Sequence, residues 1–203
     1  MQDVPNTTDF SHFHGAGRPV PLAITARLDA NLSAQVDRLC GQPALRPPDV
    51  EERLDYPAHI TLAVLEEGAS VERVLFKLSF ACLETERVAV RISHVGAFPG
   101  SPAHLFLAPV ATQSLLALHQ RLSKAVSAEP VHPHYLRDAW VPHITLATCN
   151  GQPDAAFGAA MRQFEDYRGH IIGIELVRFP PPRIVAHFPL PARPRPPQRG
   201  PES

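Results

Sequence analysis

Two periods alternate along this chain. Short apolar runs, or runs apolar at every second position, mark strands; longer stretches with apolar residues three and four apart mark helices. By that rule Leu22 to Leu28, His59 to Leu65, Arg87 to Val95, His104 to Val110, His143 to Thr148, His170 to Phe179 and Ile184 to Leu190 are predicted strands. Asn31 to Cys40 places Leu32, Val36 and Leu39 on one helical face, with Asp29 as its cap and Gly41 as its stop. Ser70 caps a second helix lined by Val71, Val74, Leu75 and Leu78. Thr112 to Val126 carries Leu115, Leu118, Leu122 and Val126 in register, and Asp154 to Glu165 carries Phe157, Met161 and Phe164.

The order of these elements repeats. A Pro-containing loop, a His-Ile-Thr-Leu strand, a helix and a strand followed by phenylalanine run from His59 to Phe98 and again from His143 to Phe179. Each copy is associated with one further strand-helix unit, Leu22 to Cys40 and His104 to Val126. The expectation is an α+β fold, bilobal with pseudo-two-fold symmetry, in which two mainly antiparallel sheets flanked by helices surround a central cleft. Residues 20–190 would form that two-lobed domain. Residues 1–19 read as a flexible polar tail and residues 191–203 as a Pro/Arg-rich C-terminal tail.

Composition narrows the function classes. A length of 203 residues fits one domain or two intimately packed lobes, and 44% hydrophobic with 19% charged residues is ordinary for a globular protein. The net charge of −1 lacks the basic excess of proteins that grip long nucleic acid. A nucleic-acid substrate would be short, an end, or held by a local basic patch. Cys40, Cys82 and Cys149 are odd in number and form no Cys-x-x-Cys pair, the usage of buried reduced thiols in a cytoplasmic protein. The first residues show no basic start followed by an apolar run, and no apolar stretch is long enough to span a membrane.

The repeated tetrapeptide carries the candidate chemistry. Strand alternation puts His59 and Thr61 on one face, with Ile60, Leu62 and Val64 on the other; His143 and Thr145 oppose Ile144 and Leu146 in the same way. If the two strands face each other, two imidazoles and two hydroxyls converge. Cleaving a phosphodiester needs a base for the attacking oxygen and an acid for the leaving oxygen. Histidine serves as either near neutrality. Threonine hydroxyls can donate to the non-bridging oxygens and favour the charge that builds there.

The paired His-x-Thr-x motifs resemble those of the 2H phosphoesterase superfamily, and the surrounding pattern resembles its bacterial 2′-5′ RNA ligase-like (RNA 2′,3′-cyclic phosphodiesterase) branch. The similarity covers Pro21 to Pro189 and includes His94 to Pro99, Leu115 to Leu122 with Leu118-His119, and Ile174 to Phe179. The resemblance implies hydrolysis of 2′,3′-cyclic phosphates at RNA ends or nucleotides, or reversible 2′-5′ ligation, with no metal and no cofactor. It makes His59 and His143 the catalytic pair and Thr61 and Thr145 the phosphate ligands, with His143 as base and His59 as acid. The implied partner is a small cyclic nucleotide or an RNA end, met by a monomer with no membrane and no stable protein partner. Ligase-like members often carry an arginine five positions after the second histidine; here that position is Thr148. Arg137, Arg178 and Arg183 are candidates to replace it.

Two other readings accompany this one. The fold could serve as a module that captures a nucleotide or RNA end without processing it, or could apply the same chemistry to another small cyclic phosphate or an ADP-ribose derivative. The remaining histidines default to non-catalytic roles, and His132 and His134 fit no standard metal spacing. Phe98, Tyr135 and Trp140 read as packing residues before base-stacking ones.

Overall fold

The computed structural model describes residues 21–46, 56–151 and 153–192. In chain order these form β1 (Leu22–Leu28), α1 (Ala30–Cys40), β2 (His59–Leu65), α2 (Val71–Leu83), β3 (Val88–Phe98), β4 (Ala103–Pro109), α3 (Gln113–Ala125), β5 (Ile144–Cys149), α4 (Asp154–Gln163), β6 (Arg168–Arg178) and β7 (Arg183–Pro189). Single 3-10 turns at Pro43–Leu45 and Pro133–Tyr135 add to this order. The tail readings fall almost wholly outside the described residues.

Three helices start where a side-chain oxygen accepts a backbone N–H. Asp29 Oδ1 takes Leu32 N at 2.8 Å, Ser70 Oγ takes Arg73 N at 3.3 Å, and Thr112 Oγ1 takes Leu115 N at 3.3 Å. Each such cap is worth about 1 kcal/mol. Asp29 also ties its helix to the sheet, because its Oδ2 accepts from His170 N at 2.7 Å. The last helix departs from expectation. Ala156, Ala159 and Ala160 are its buried face, while Met161 is 50% exposed and Phe157 and Phe164 are only partly buried. The helix lies over β3 and the Pro43–Leu45 turn, and small side chains let its backbone approach closely.

All strand pairs are antiparallel, and they follow the path β2-β1-β6-β3-β4-β5, with β7 added beside β6. The first half of β3 pairs with the first half of β6, from Val88 opposite Ile171 to Arg91 opposite Arg168. Its second half pairs with β4. The two lobes are thus joined through β3 and β6, which relate to each other as the two halves of the repeat do.

By hydrogen bonding the sheet is open, but it curves until its end strands β2 and β5 touch. These are the two His-Ile-Thr-Leu strands. Residues 130–140 cover the outer edge of β2: Glu66 N donates to Pro130 O at 2.8 Å, and His132 N to Val64 O at 2.9 Å. Trp140 Nε1 donates to Thr61 O at 2.9 Å. An edge strand that would otherwise offer unpaired groups is closed by its own chain.

Candidate active site

Each motif strand carries a β-bulge at the same place. On β2, Thr61 opposes Thr25 and Ala63 opposes Ile24, so Leu62 is the extra residue. On β5, Thr145 opposes Phe106 and Ala147 opposes Leu105, so Leu146 is the extra residue. The carbonyl of each bulged leucine is taken by a helix side chain: Cys40 Sγ donates to Leu146 O at 3.8 Å, and His119 faces Leu62 O. The bulges also reset the alternation. Residues before the bulge follow the expected parity, with His and Thr on the cleft face. After it the parity inverts. Val64, expected beside Ile60 and Leu62, lies in register with Ala23, on the face that carries Thr25. Thr148 pairs with His104, whose Nδ1 is 3.2 Å from the threonine Oγ1. Position 148 therefore reaches the cleft although it lies an odd number of residues from His143.

The two histidines are held alike. His59 Nδ1 is 2.8 Å from Pro57 O, and His143 Nδ1 is 2.8 Å from Val141 O. A carbonyl only accepts, so in each ring Nδ1 carries the hydrogen. Nε2 is left as the nitrogen that gains or loses a proton.

Their surroundings differ. His143 is 7% exposed. Phe98 and Phe106 stack at 4.3 Å and meet its ring edge-on at 5.1 and 5.8 Å. Gly96 makes that wall possible, since a Cβ there would sit 2.5 Å from the Phe106 ring. Burial lowers the His143 pKa below the usual imidazole value, and the proximity of His104 lowers it further against the Val141 carbonyl. His59 is only half-buried, and it packs on Tyr56 with ring centroids 4.7 Å apart. The threonines show the reverse: Thr61 is buried and Thr145 exposed.

Behind His59 the floor of the cleft is charged. Glu175 is 2% exposed and lies opposite Thr25. It accepts from Tyr56 Oη at 2.6 Å and Arg27 Nη1 at 2.7 Å, with His187 Nδ1 at 3.2 Å. Tyr56 has one hydroxyl hydrogen, so Thr25 donates to it at 2.8 Å. Burial pushes the Glu175 carboxyl up, but hydrogen bonds from Tyr56 and Arg27 and the arginine's charge outweigh it, leaving the pKa below normal. Burial and the bond to Glu175 push the Tyr56 phenol up, so it stays a neutral donor.

Sequence reading singled out His59, Thr61, His143 and Thr145, and their strands meet. It missed Thr25, Arg27, Tyr56 and Glu175. Polar residues at alternate positions of otherwise apolar strands were the available signal. Two of the candidate arginines fall elsewhere: Arg178 lies opposite Leu22 and Arg183 opposite Arg178, on the face that carries Ile24. Arg137 lies in the exposed part of the loop before Trp140. Trp140 packs, stacking on His119 at 4.0 Å. No three His, Cys, Asp or Glu side chains converge for a metal ion among the described residues.

A curved α+β sheet ending in paired His-Ile-Thr-Leu strands is the fold of a 2H phosphoesterase. The family model described as the 2′-5′ RNA ligase superfamily matches residues 28–179, and the chain belongs to that family. No curated protein shows significant sequence similarity to it. Among solved structures, TT0787 of Thermus thermophilus is similar at a TM-score of 0.65 and 18% identity, over 85% of this chain and 98% of that one. E. coli LigT complexed with 3′-AMP gives 0.55 and 16%, over 85% and 98%. Kluyveromyces marxianus Usb1 gives 0.54 and 12%, over 84% and 98%. No helix among the described residues is long and apolar enough to cross a membrane.

Proposed function

We propose that the chain is a phosphodiesterase that opens 2′,3′-cyclic phosphates on nucleotides or RNA ends by two-histidine acid-base catalysis, without a metal. The observation that carries this reading is the twofold identity of the site. Each lobe offers one imidazole fixed through Nδ1 to the carbonyl two residues earlier, with a threonine on the same face. Capture alone needs no such pair. Nucleotides are ligands of a fold neighbour, since E. coli LigT has been crystallised with 3′-AMP, ATP and phosphate.

The unequal surroundings divide the labour. His143, buried against phenylalanines, is neutral at pH 7 and takes the proton of the attacking water. His59, half-open and beside the Tyr56–Glu175 pair, delivers a proton to the leaving ribose oxygen. Thr61 and Thr145 hold the non-bridging oxygens as negative charge grows on them. With a ribose hydroxyl in place of the attacking water the same roles would join that oxygen to the cyclic phosphate, the ligation sense of the chemistry, and the roles reverse when the cyclic phosphate is re-formed.

The test is turnover of 2′,3′-cyclic nucleotides and of a cyclic-phosphate RNA end in EDTA. The expected result is hydrolysis, with a loss of at least about a hundredfold in His59→Ala and in His143→Ala, as general acid-base groups contribute. Absence of turnover, or turnover that survives both substitutions, refutes the proposal.

A further inference from the structure

The arginine that ligase-like sequences place at position 148 is replaced here by threonine, yet the cleft does not lack a fixed cation. Arg27 stands on β1 directly opposite His59, and the two side chains share a face. Its side chain is 39% exposed, and Nη1 is anchored on Glu175. A guanidinium carries five N–H donors in a planar fork, so one anchoring bond leaves a donor edge for a ligand. His187, 40% exposed, is anchored on the same Glu175 oxygen. Its ring lies over Gly173, where a Cβ would come within 2.6 Å of it. Gly173 in turn faces Arg27 across the strands.

A single buried carboxylate thus orients an arginine and a histidine side by side at the open surface of the cleft. Buried carboxylates require compensating charge or donors, and Tyr56 with either Arg27 or His187 would meet that need. Two partially exposed basic groups exceed it. Arg27 is one strand from His59 and His187 three, at about 4.8 Å per strand, so the pair set on Glu175 is centred two strands away, on the side away from β5. That is too far out for the phosphate held between the histidines. It is the place of a neighbouring one.

We propose that Arg27 and His187, set on Glu175, form a second anion subsite that takes a phosphate other than the one being opened. The substrate class that follows is a cyclic phosphate bearing a further phosphate, such as the 5′-phosphate of the same nucleotide or the preceding linkage of an RNA end. This rests on the phosphodiesterase reading for its biological sense. Its test is a binding measurement that needs no turnover.

Calorimetry compares a nucleoside 3′-monophosphate with the corresponding 3′,5′-bisphosphate. The expected result for the unaltered protein is tighter binding of the bisphosphate by about tenfold or more, the worth of a charge-assisted hydrogen bond. In Arg27→Gln that ratio falls towards one, and Arg27→Lys restores it in part, because a point charge lacks the fork. Should Arg27→Gln fail to fold for want of a partner to Glu175, His187→Gln provides the second reading, with a smaller fall in the same ratio. Equal affinity for the two ligands in the unaltered protein overturns the subsite, as does a ratio untouched by these changes. Absence of catalysis on any cyclic phosphate would refute the proposed activity while leaving this ratio to be read.

Discussion

Replacing Trp140 with phenylalanine removes one hydrogen-bond donor and little else of the ring's shape. The indole N–H is bonded to the carbonyl of Thr61 at 2.9 Å, on the outer edge of β2. The bond is buried, so water does not take its place. Leaving a buried acceptor unpaired costs about 1–3 kcal/mol. The smaller ring forfeits apolar burial and part of the stack on His119, about 1 kcal/mol more. A total of about 2–4 kcal/mol corresponds to a fall in Tm of about 4–16 °C for a domain of this size. Trp140 is the sole tryptophan, so melting is followed by circular dichroism or calorimetry rather than by fluorescence. Trp140 also joins the segment leading to His143 with the strand holding His59 and Thr61. Loosening it misplaces the two halves of the site, and kcat should fall more than KM rises. A Tm within about 1 °C of the parent would show that the Thr61 carbonyl finds another donor and that the clamp does not hold the strands.

Two further outcomes concern pH. The acidic limb of kcat/KM should fall below the ordinary histidine value of about 6.5, because burial holds His143 neutral; Phe98→Ala, which opens the wall, should move the limb upward, and a limb above 6.5 in the parent refutes the assignment of His143 as base. Glu175 has a depressed pKa, so the stability it adds is present above the unfolded-state value of about 4.3 and is lost as pH falls through the folded-state value. Glu175→Gln should accordingly lower the Tm at pH 7, and the gap to the parent should narrow below about pH 4.3. A gap that stays constant from neutral to acid pH would rule out the carboxylate's ionisation as its source.

The elements were legible because each strand is either a short, mainly apolar run or an alternating one, and three of the four helices bury the apolar face expected of them. β1 and β2 run over the residues expected, Asp29 and Ser70 cap the helices they were expected to cap, and Thr112, read as the first residue of its helix, is its cap. The two His-x-Thr pairs were legible as a local repeat, and pseudo-symmetry followed from the order of elements. Three features were not. The face of α4 was misjudged because its large residues were favoured over Ala156, Ala159 and Ala160, and a helix packed close to a sheet prefers the small ones. The cluster around Glu175 joins Arg27, Tyr56 and His187 from β1, the approach to β2, and β7. No local period reveals such a meeting. The bulges escaped notice because they depend on pairing register, which a single strand does not display.

Those bulges give each motif strand two reading frames. Upstream of Leu62 or Leu146 the frame turns the histidine and threonine to the cleft; downstream it delivers Ala63 and Leu65, or Ala147 and Cys149, to the apolar interior. Deleting either leucine would leave a regular strand in which histidine and threonine keep the cleft face and the residues after them the interior, whereas inserting one more residue there would turn one segment over. After such an insertion the choice would lie between an intact core with its histidine turned away and an intact histidine with the downstream core residues on the wrong face. Register thus limits what these two strands can gain, whatever the side chain gained.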